Sequence, residues 1–112
     1  MYDDRLPAHL WIQAHIRTCS TQGTPATVVH RGERMSGMLL LKINQLDLGC
    51  RLLSQMRDID GVLGWMPALK GELVSEREAD DYIERAVKRD PDLWVVEIED
   101  RKGKNPFEGK EL

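Results

Sequence analysis

Apolar residues recur at helical spacing near the beginning of the chain. Two adjacent i, i+4 rows, one starting at Leu10 and the other at Ile12, form a broad apolar stripe that ends at about Cys19. Pro7 suits the first turn of a helix, and Gly23 is a natural stop. The pattern therefore predicts a first helix over about 8–21.

A second helical stripe lies in the other half of the chain and has a well-defined start. Ser75 and Glu78 have the spacing of a capping box, and apolar residues then recur at i, i+3, i+4, i+7 and i+8 as far as Val87. Pro91 disfavours helical geometry at Asp90. We therefore predict a second helix that begins at Ser75 and ends at Asp90.

The stretches between the helices alternate between apolar and polar residues, as β-strands do. Loop 32–36 has a suitable length for a hairpin connection between the first two of these strands. In the third, alternation from Leu48 to Arg57 predicts one buried and one solvated face. Gly64 and Pro67 restrict the fourth to a sheet edge or a bulge. The predicted strands are 26–31, 37–44, 48–57 and, more weakly, 62–69.

The run from Asp90 to Asp100 predicts the last strand, and the rest of the chain is best organised around it. It begins at a helix-stopping proline, passes through Trp94, Val95 and Val96, and ends in acids. Because adjacent residues of a strand point to opposite faces, the two valines indicate that both faces are covered and that the strand is central.

Together these elements predict an α+β fold with the order α-β-β-β-(β)-α-β. We expect one mixed, mostly antiparallel sheet of four to five strands with two helices. A chain of 112 residues suits one domain, here 1–100. The polar segment 101–112, broken by glycine and proline, is expected to be loose apart from Phe107.

Composition excludes several classes of protein. The net charge of −3 gives no overall attraction to nucleic acid or an anionic membrane, and no apolar run approaches the length of a bilayer span. The acidic N-terminus lacks a secretory signal, so we expect a cytoplasmic protein without a membrane partner. Cys19 and Cys50 have no metal-binding spacing, and the glycines form no phosphate loop, so no metal or cofactor is expected.

Several motifs resemble a known family. They are His9-Leu10-Trp11, Lys42-Ile43-Asn44, Ala79-Asp80-Asp81-Tyr82 and the closing run from Asp90 to Arg101. Together they resemble the small bacterial family Domain of Unknown Function 1491, which is best known from alphaproteobacteria. The resemblance covers nearly the whole chain. It implies a cytoplasmic single-domain protein and supplies no activity and no catalytic residues.

Acidic residues near the end of the last strand are the first candidates for chemistry. Glu97 and Glu99 point to one face of a strand, where two carboxylates can contribute to a hard-cation site. His30 is the histidine best placed to join them. One hypothesis is therefore a small metal-dependent hydrolase or nuclease-like enzyme that uses these three residues; the alternative is that the acids pair with arginines across the sheet.

Basic residues dominate the first strands, where five cations face two acids and the net charge is +3. Nucleic-acid binding on this sheet face is a further hypothesis, although aromatic residues that stack bases are missing there. The candidate binding residues are Arg31, Arg34, Lys42, Arg51 and Arg57.

Trp65 and Met66 lie on the weak fourth strand, where apolar residues at an edge predict a contact surface. Because the chain carries no nucleophile motif, we favour a non-enzymatic interaction or regulatory module over an enzyme. Its partner is then an unknown protein or a second copy of the chain.

Overall fold

The computed structural model describes residues 6–112, and in this part of the chain two helices flank a sheet of six strands. The predicted elements differ from the observed ones by the one or two residues that separate assignment methods, except that the last strand begins at Trp94, four residues after the predicted start at Asp90. The elements are α1 Ala8–Thr21, β1 Ala26–His30, β2 Leu39–Asn44, β3 Cys50–Arg57, β4 Leu63–Pro67, α2 Glu76–Arg89, β5 Trp94–Glu99 and β6 Lys110–Glu111.

The strand order is β1-β5-β2-β3-β4-β6. Strand β5 pairs antiparallel with β1 and parallel with β2, and β4 pairs parallel with β6; the other pairs are antiparallel. The prediction of a hairpin between β1 and β2 is therefore wrong, because β5 lies between these two strands. The connecting loop, residues 31–38, passes across the beginning of β5 instead.

Strand β5 is central, as its adjacent valines predict. Val95 and Val96 are both fully buried, and they belong to different hydrophobic cores on the two faces of the sheet. The fold is thus α+β with one helix on each face. The mixed sheet has six strands rather than the predicted four to five, because the C-terminal segment adds β6 beside β4.

Helix α1 covers the face that carries Leu41 and Val96. Trp11, Ile12 and Cys19 of the helix are buried there, whereas Leu10, Ala14 and Thr18 are exposed, so the buried stripe is narrower than predicted.

Helix α2 covers the other face, through Ala79, Ile83 and Ala86. The Ser75 hydroxyl accepts a hydrogen bond from the Glu78 backbone N–H at 3.1 Å, which confirms the predicted cap.

The prediction that one face of β3 is solvated is wrong. Cys50 and Leu52 face the α2 core, but Leu53 is also fully buried, in the α1 core. Alternation failed here because β3 is an inner strand with both faces covered.

The C-terminal segment, residues 101–112, differs from the loose tail suggested by its composition. Phe107 is buried against Trp11 and Trp65, and the short β6 pairs with β4. Phe107 is the residue that the prediction excepted from the loose tail, whereas the pairing of β6 with β4 depends on backbone contacts that composition does not reveal. In residues 6–112 no helix is long and apolar enough to cross a membrane.

Candidate interaction surface

The three candidate residues for metal-dependent chemistry have separate hydrogen-bond partners. Glu97 accepts a hydrogen bond from Asn44 at 3.0 Å, whereas the Nδ1 of His30 lies 2.8 Å from the carbonyl oxygen of Leu93, just before β5. Glu99 is exposed. In residues 6–112 no group of three or more His, Cys, Asp or Glu side chains is arranged to hold a metal ion. The structure therefore does not bring these residues together as a catalytic centre.

Lys42 lies under α2 and is only 3% exposed. Its ammonium group donates hydrogen bonds to Glu76 and Asp80, both at 2.8 Å, and lies 3.5 Å from Glu97. Burial lowers the pKa of Lys42, but the hydrogen bonds to Asp80 and Glu76 outweigh burial, so its pKa is raised and the side chain stays charged. Lys42 therefore fastens α2 to the sheet and is not available to an external ligand.

Arg51 is also engaged within the fold. Its guanidinium group makes a bidentate contact with Glu111, at 2.8 and 3.0 Å, and donates to the Gly103 carbonyl oxygen. The hydrogen bond from Arg51 lowers the pKa of the Glu111 carboxyl group. Arg51 thus secures the C-terminal segment instead of adding to a basic binding face.

Trp65 cannot form the contact surface expected of it. The side chain is fully buried, and its indole N–H donates to the Glu108 carbonyl oxygen at 3.0 Å. Strand β4 is not an edge, because β6 covers it. Of the two residues proposed on this strand, Met66 is the exposed one, at 45%.

Loop 31–38 is held closely against the beginning of β5. The Trp94 indole N–H donates to the Glu33 carbonyl oxygen at 2.7 Å, and the Glu33 backbone N–H donates to Asp92 at 2.9 Å. A Cβ atom at Gly32 or Gly37 would overlap the Asp92 carbonyl oxygen. The two glycines therefore permit a close approach of backbone to backbone that a side chain would prevent.

The same loop caps helix α1. The first backbone N–H groups of a helix lack partners within it, and Pro7 offers no side-chain cap. The carbonyl oxygens of Met35 and Arg34 accept these hydrogen bonds, from Ala8 at 3.0 Å and His9 at 2.9 Å. The loop is thus fastened to both the helix and the sheet.

Although hydrogen bonds fix the backbone of this loop, some of its apolar side chains are exposed to solvent. Met35 is 60% exposed and Met38 is 43% exposed, and Leu6 lies beside them. A cleft of about 210 Å³ lies on the α1 side and another of about 230 Å³ lies on the α2 side, and Met38 lines both. We call Leu6, Met35, Met38 and the two clefts the methionine surface.

Two arginines of the predicted set flank this surface. Arg31 is exposed and lies over the Trp94 ring, 5.7 Å from its centroid, and Arg34 donates to the His9 ring at 3.1 Å. Within residues 6–112 neither guanidinium group has a carboxylate within salt-bridge distance. Arg57 lines the α1-side cleft and donates to the Gly61 carbonyl oxygen.

The sequence predicted a simple connection over 32–36 and placed Met38 in the strand 37–44, so the exposed methionines were missed. The available signal was Met35, an apolar residue in a segment assigned to a loop, where polar residues are usual. The contacts that fix the loop come from Ala8, His9, Asp92 and Trp94, and those long-range contacts could not be derived from local pattern.

The fold and this surface define a small α+β domain in which Lys42, Arg51 and Trp65 are engaged in internal contacts and Met35 and Met38 are exposed. The chain belongs to the family described as Protein of unknown function (DUF1491), whose model matches residues 6–108. This confirms the family resemblance drawn from the sequence motifs. No curated protein matches the chain.

Solved structures of relatives share the fold. A DUF1491 family protein from Caulobacter crescentus CB15, known from a crystal structure, is 35% identical with a TM-score of 0.85, covering 96% of this chain and 99% of that one. An NMR structure of a DUF1491 family protein from the same organism is also 35% identical, with a TM-score of 0.82, and the match covers 96% of this chain and 97% of that one. A protein from A. tumefaciens is 26% identical, with a TM-score of 0.71 and 86% coverage of both chains.

Proposed function

We propose that this protein is a non-enzymatic, cytoplasmic interaction module that binds another protein at the methionine surface. The observation that carries the proposal is a loop fixed at both sides that nevertheless holds Met35 and Met38 in solvent. The capping of α1 and the contact with β5 explain why the loop is fixed, but neither requires apolar side chains at its exposed positions.

Pre-organisation supports this function. Binding is weakened by the entropy of ordering loops and side chains, so a surface that is ordered beforehand binds more tightly. The hydrogen bonds at Glu33, Trp94 and Ala8 fix the backbone of the loop, and the methionine side chains remain adaptable. A fixed frame with flexible thioethers suits recognition of an apolar side chain of a partner.

The sheet edges offer less suitable alternatives. Strand β1 is irregular between Val28 and His30, and β6 has two residues. Bulges and very short edge strands are the features by which proteins discourage pairing with another strand. The partner is therefore better accommodated at the methionine surface than by strand addition.

Peptide selection with the purified protein tests this function. A displayed library of bacterial proteome fragments is screened, and each ligand is measured by titration calorimetry against Met35→Ser/Met38→Ser. We expect ligands whose affinity falls at least about tenfold in this variant, since each lost apolar contact is worth roughly 1 kcal/mol.

The matched control is Ile59→Ser, because Ile59 is 99% exposed in the turn between β3 and β4. It removes an apolar side chain away from the loop and is expected to leave affinity unchanged. A screen that yields no ligand, or ligands that bind the double variant as tightly as the parent chain, contradicts the proposed site.

A further inference from the structure

The charged side chains of loop 31–38 differ in their hydrogen-bond and ionic partners. The Glu33 carboxylate accepts hydrogen bonds from the backbone N–H groups of Ser36 and Met35, and these bonds lower its pKa. That carboxylate is directed into its own turn. Arg31 and Arg34 are both exposed; in residues 6–112 Arg31 lies over the Trp94 ring, and Arg34 contacts the His9 ring and is attracted by the Glu33 carboxylate without reaching salt-bridge distance.

The α2-side cleft shows the same difference between a hydrogen-bonded carboxylate and an arginine without a salt bridge. Arg89 lines this cleft, is exposed, and has no carboxylate within salt-bridge distance in residues 6–112. Asp90, which also lines it, accepts a hydrogen bond from the Asp92 backbone N–H at 3.1 Å. Within residues 6–112 Asp92 is a further exposed acid near the loop. Arg31 and Arg34 of the loop and Arg89 of the α2-side cleft therefore lie near the exposed methionines, in addition to Arg57 of the α1-side cleft, whereas the carboxylates of Glu33 and Asp90 accept hydrogen bonds from backbone N–H groups.

From this arrangement we infer that the segment bound at the methionine surface is an acidic peptide, with an apolar anchor flanked by carboxylates. The anchor contacts Met35 and Met38, and the carboxylates contact Arg31 and Arg34, with Arg89 on the far side. This inference rests on the proposed function and adds the chemistry of the partner. Arginine suits the role because its planar group binds a carboxylate through two parallel hydrogen bonds.

The test uses three labelled peptides of equal length that share a Leu-Phe anchor and carry Glu, Gln or Lys at the flanking positions. Fluorescence anisotropy should show the Glu peptide binding several-fold more tightly than the Gln peptide, with the Lys peptide weakest. Added salt should weaken the Glu peptide alone, because exposed charge pairs are screened.

Variants separate specific pairing from net charge. Arg31→Gln/Arg34→Gln is expected to weaken the Glu peptide about fivefold and leave the Gln peptide unchanged, as for rim charge pairs of about 0.5 kcal/mol each. Arg17→Gln/Arg77→Gln removes the same charge from exposed helix positions and should change neither affinity.

Equal affinities for the Glu and Gln peptides, or equal losses in the two arginine variants, overturn the acidic-partner inference. If the Gln peptide still depends on Met35 and Met38, the proposed function survives that result. If no peptide binding depends on the methionines, the proposed function fails as well.

Discussion

Basic residues have opposite surroundings in two regions of the molecule. They are salt-bridged in the polar cluster under α2 and lack salt bridges in the exposed loop 31–38, within residues 6–112. Lys42 is surrounded by Glu76, Asp80 and Glu97 and is almost fully buried, whereas Arg31 and Arg34 have no carboxylate within salt-bridge distance in residues 6–112. The first arrangement joins a helix to a sheet. The second leaves positive charge around exposed methionines, and that difference locates the candidate surface.

The largest expected effect comes from removing the buried cation. Lys42→Ala leaves three carboxylates facing one another without a counter-charge. We expect a loss of about 3 kcal/mol in the free energy of unfolding, at the lower end for a buried pair because Glu76 and Asp80 are half exposed. Urea denaturation measures the change.

Lys88→Ala on α2 serves as the control, since Lys88 is exposed and the change should stay within about 0.5 kcal/mol. Equal stability of the Lys42 and Lys88 variants would show that the buried cluster does not hold the helix.

A smaller effect is expected on the loop side of the comparison. In Gly37→Ala the added Cβ meets the Asp92 carbonyl oxygen and the Trp94 ring, so the loop must shift. We expect a loss of about 2 kcal/mol, in the range for overpacking, and weaker ligand binding at Met35 and Met38. Urea denaturation and calorimetric titration with a selected peptide measure the two effects.

Ser36→Ala, at the neighbouring exposed position, should change stability by less than about 0.5 kcal/mol. A Gly37 variant that matches it in both stability and affinity would show that the close approach does not fix the methionine surface.

The smallest effect concerns pH and the second engaged cation, Arg51. Because Arg51 lowers the pKa of Glu111 from 4.5, the stabilising contribution is present above that value and is lost as the pH falls through the lowered pKa. Solvent screening of the half-exposed Glu111 limits it to about 0.5 kcal/mol.

Glu111→Gln should therefore be slightly less stable than the parent chain near neutral pH, and urea denaturation should show the difference vanishing in acid. A constant difference across the whole pH series would exclude this origin.

Local patterns were sufficient for the two helices and for β1 to β5, but not for β6 or for the arrangement of the elements. Capping at Ser75 and the paired valines of β5 each depend on neighbouring residues, and both predictions are confirmed. The placement of β5 between β1 and β2 depends on residues far apart in the chain. The expected hairpin at loop 32–36 failed for that reason.

The candidate site shows the same limit. Lys42 and Arg34 are both cations of the same net-positive stretch, and their spacing along the chain does not reveal that one is buried and the other exposed. Trp65 appeared to lie on an open edge because its cover, Glu108 and β6, comes from a segment whose composition suggested a loose tail. Distant partners decided each of these cases.

The sequence by itself determined two amphipathic helices and a central strand apolar on both sides, because helical and strand periodicity are local properties of the chain. Its motifs also indicated the family. Only the tertiary structure decided which cations are neutralised and which apolar side chains remain in solvent. Those outcomes depend on long-range packing: α2 brings Glu76 and Asp80 to Lys42, whereas the beginning of β5 and the first turn of α1 hold Met35 and Met38 outward.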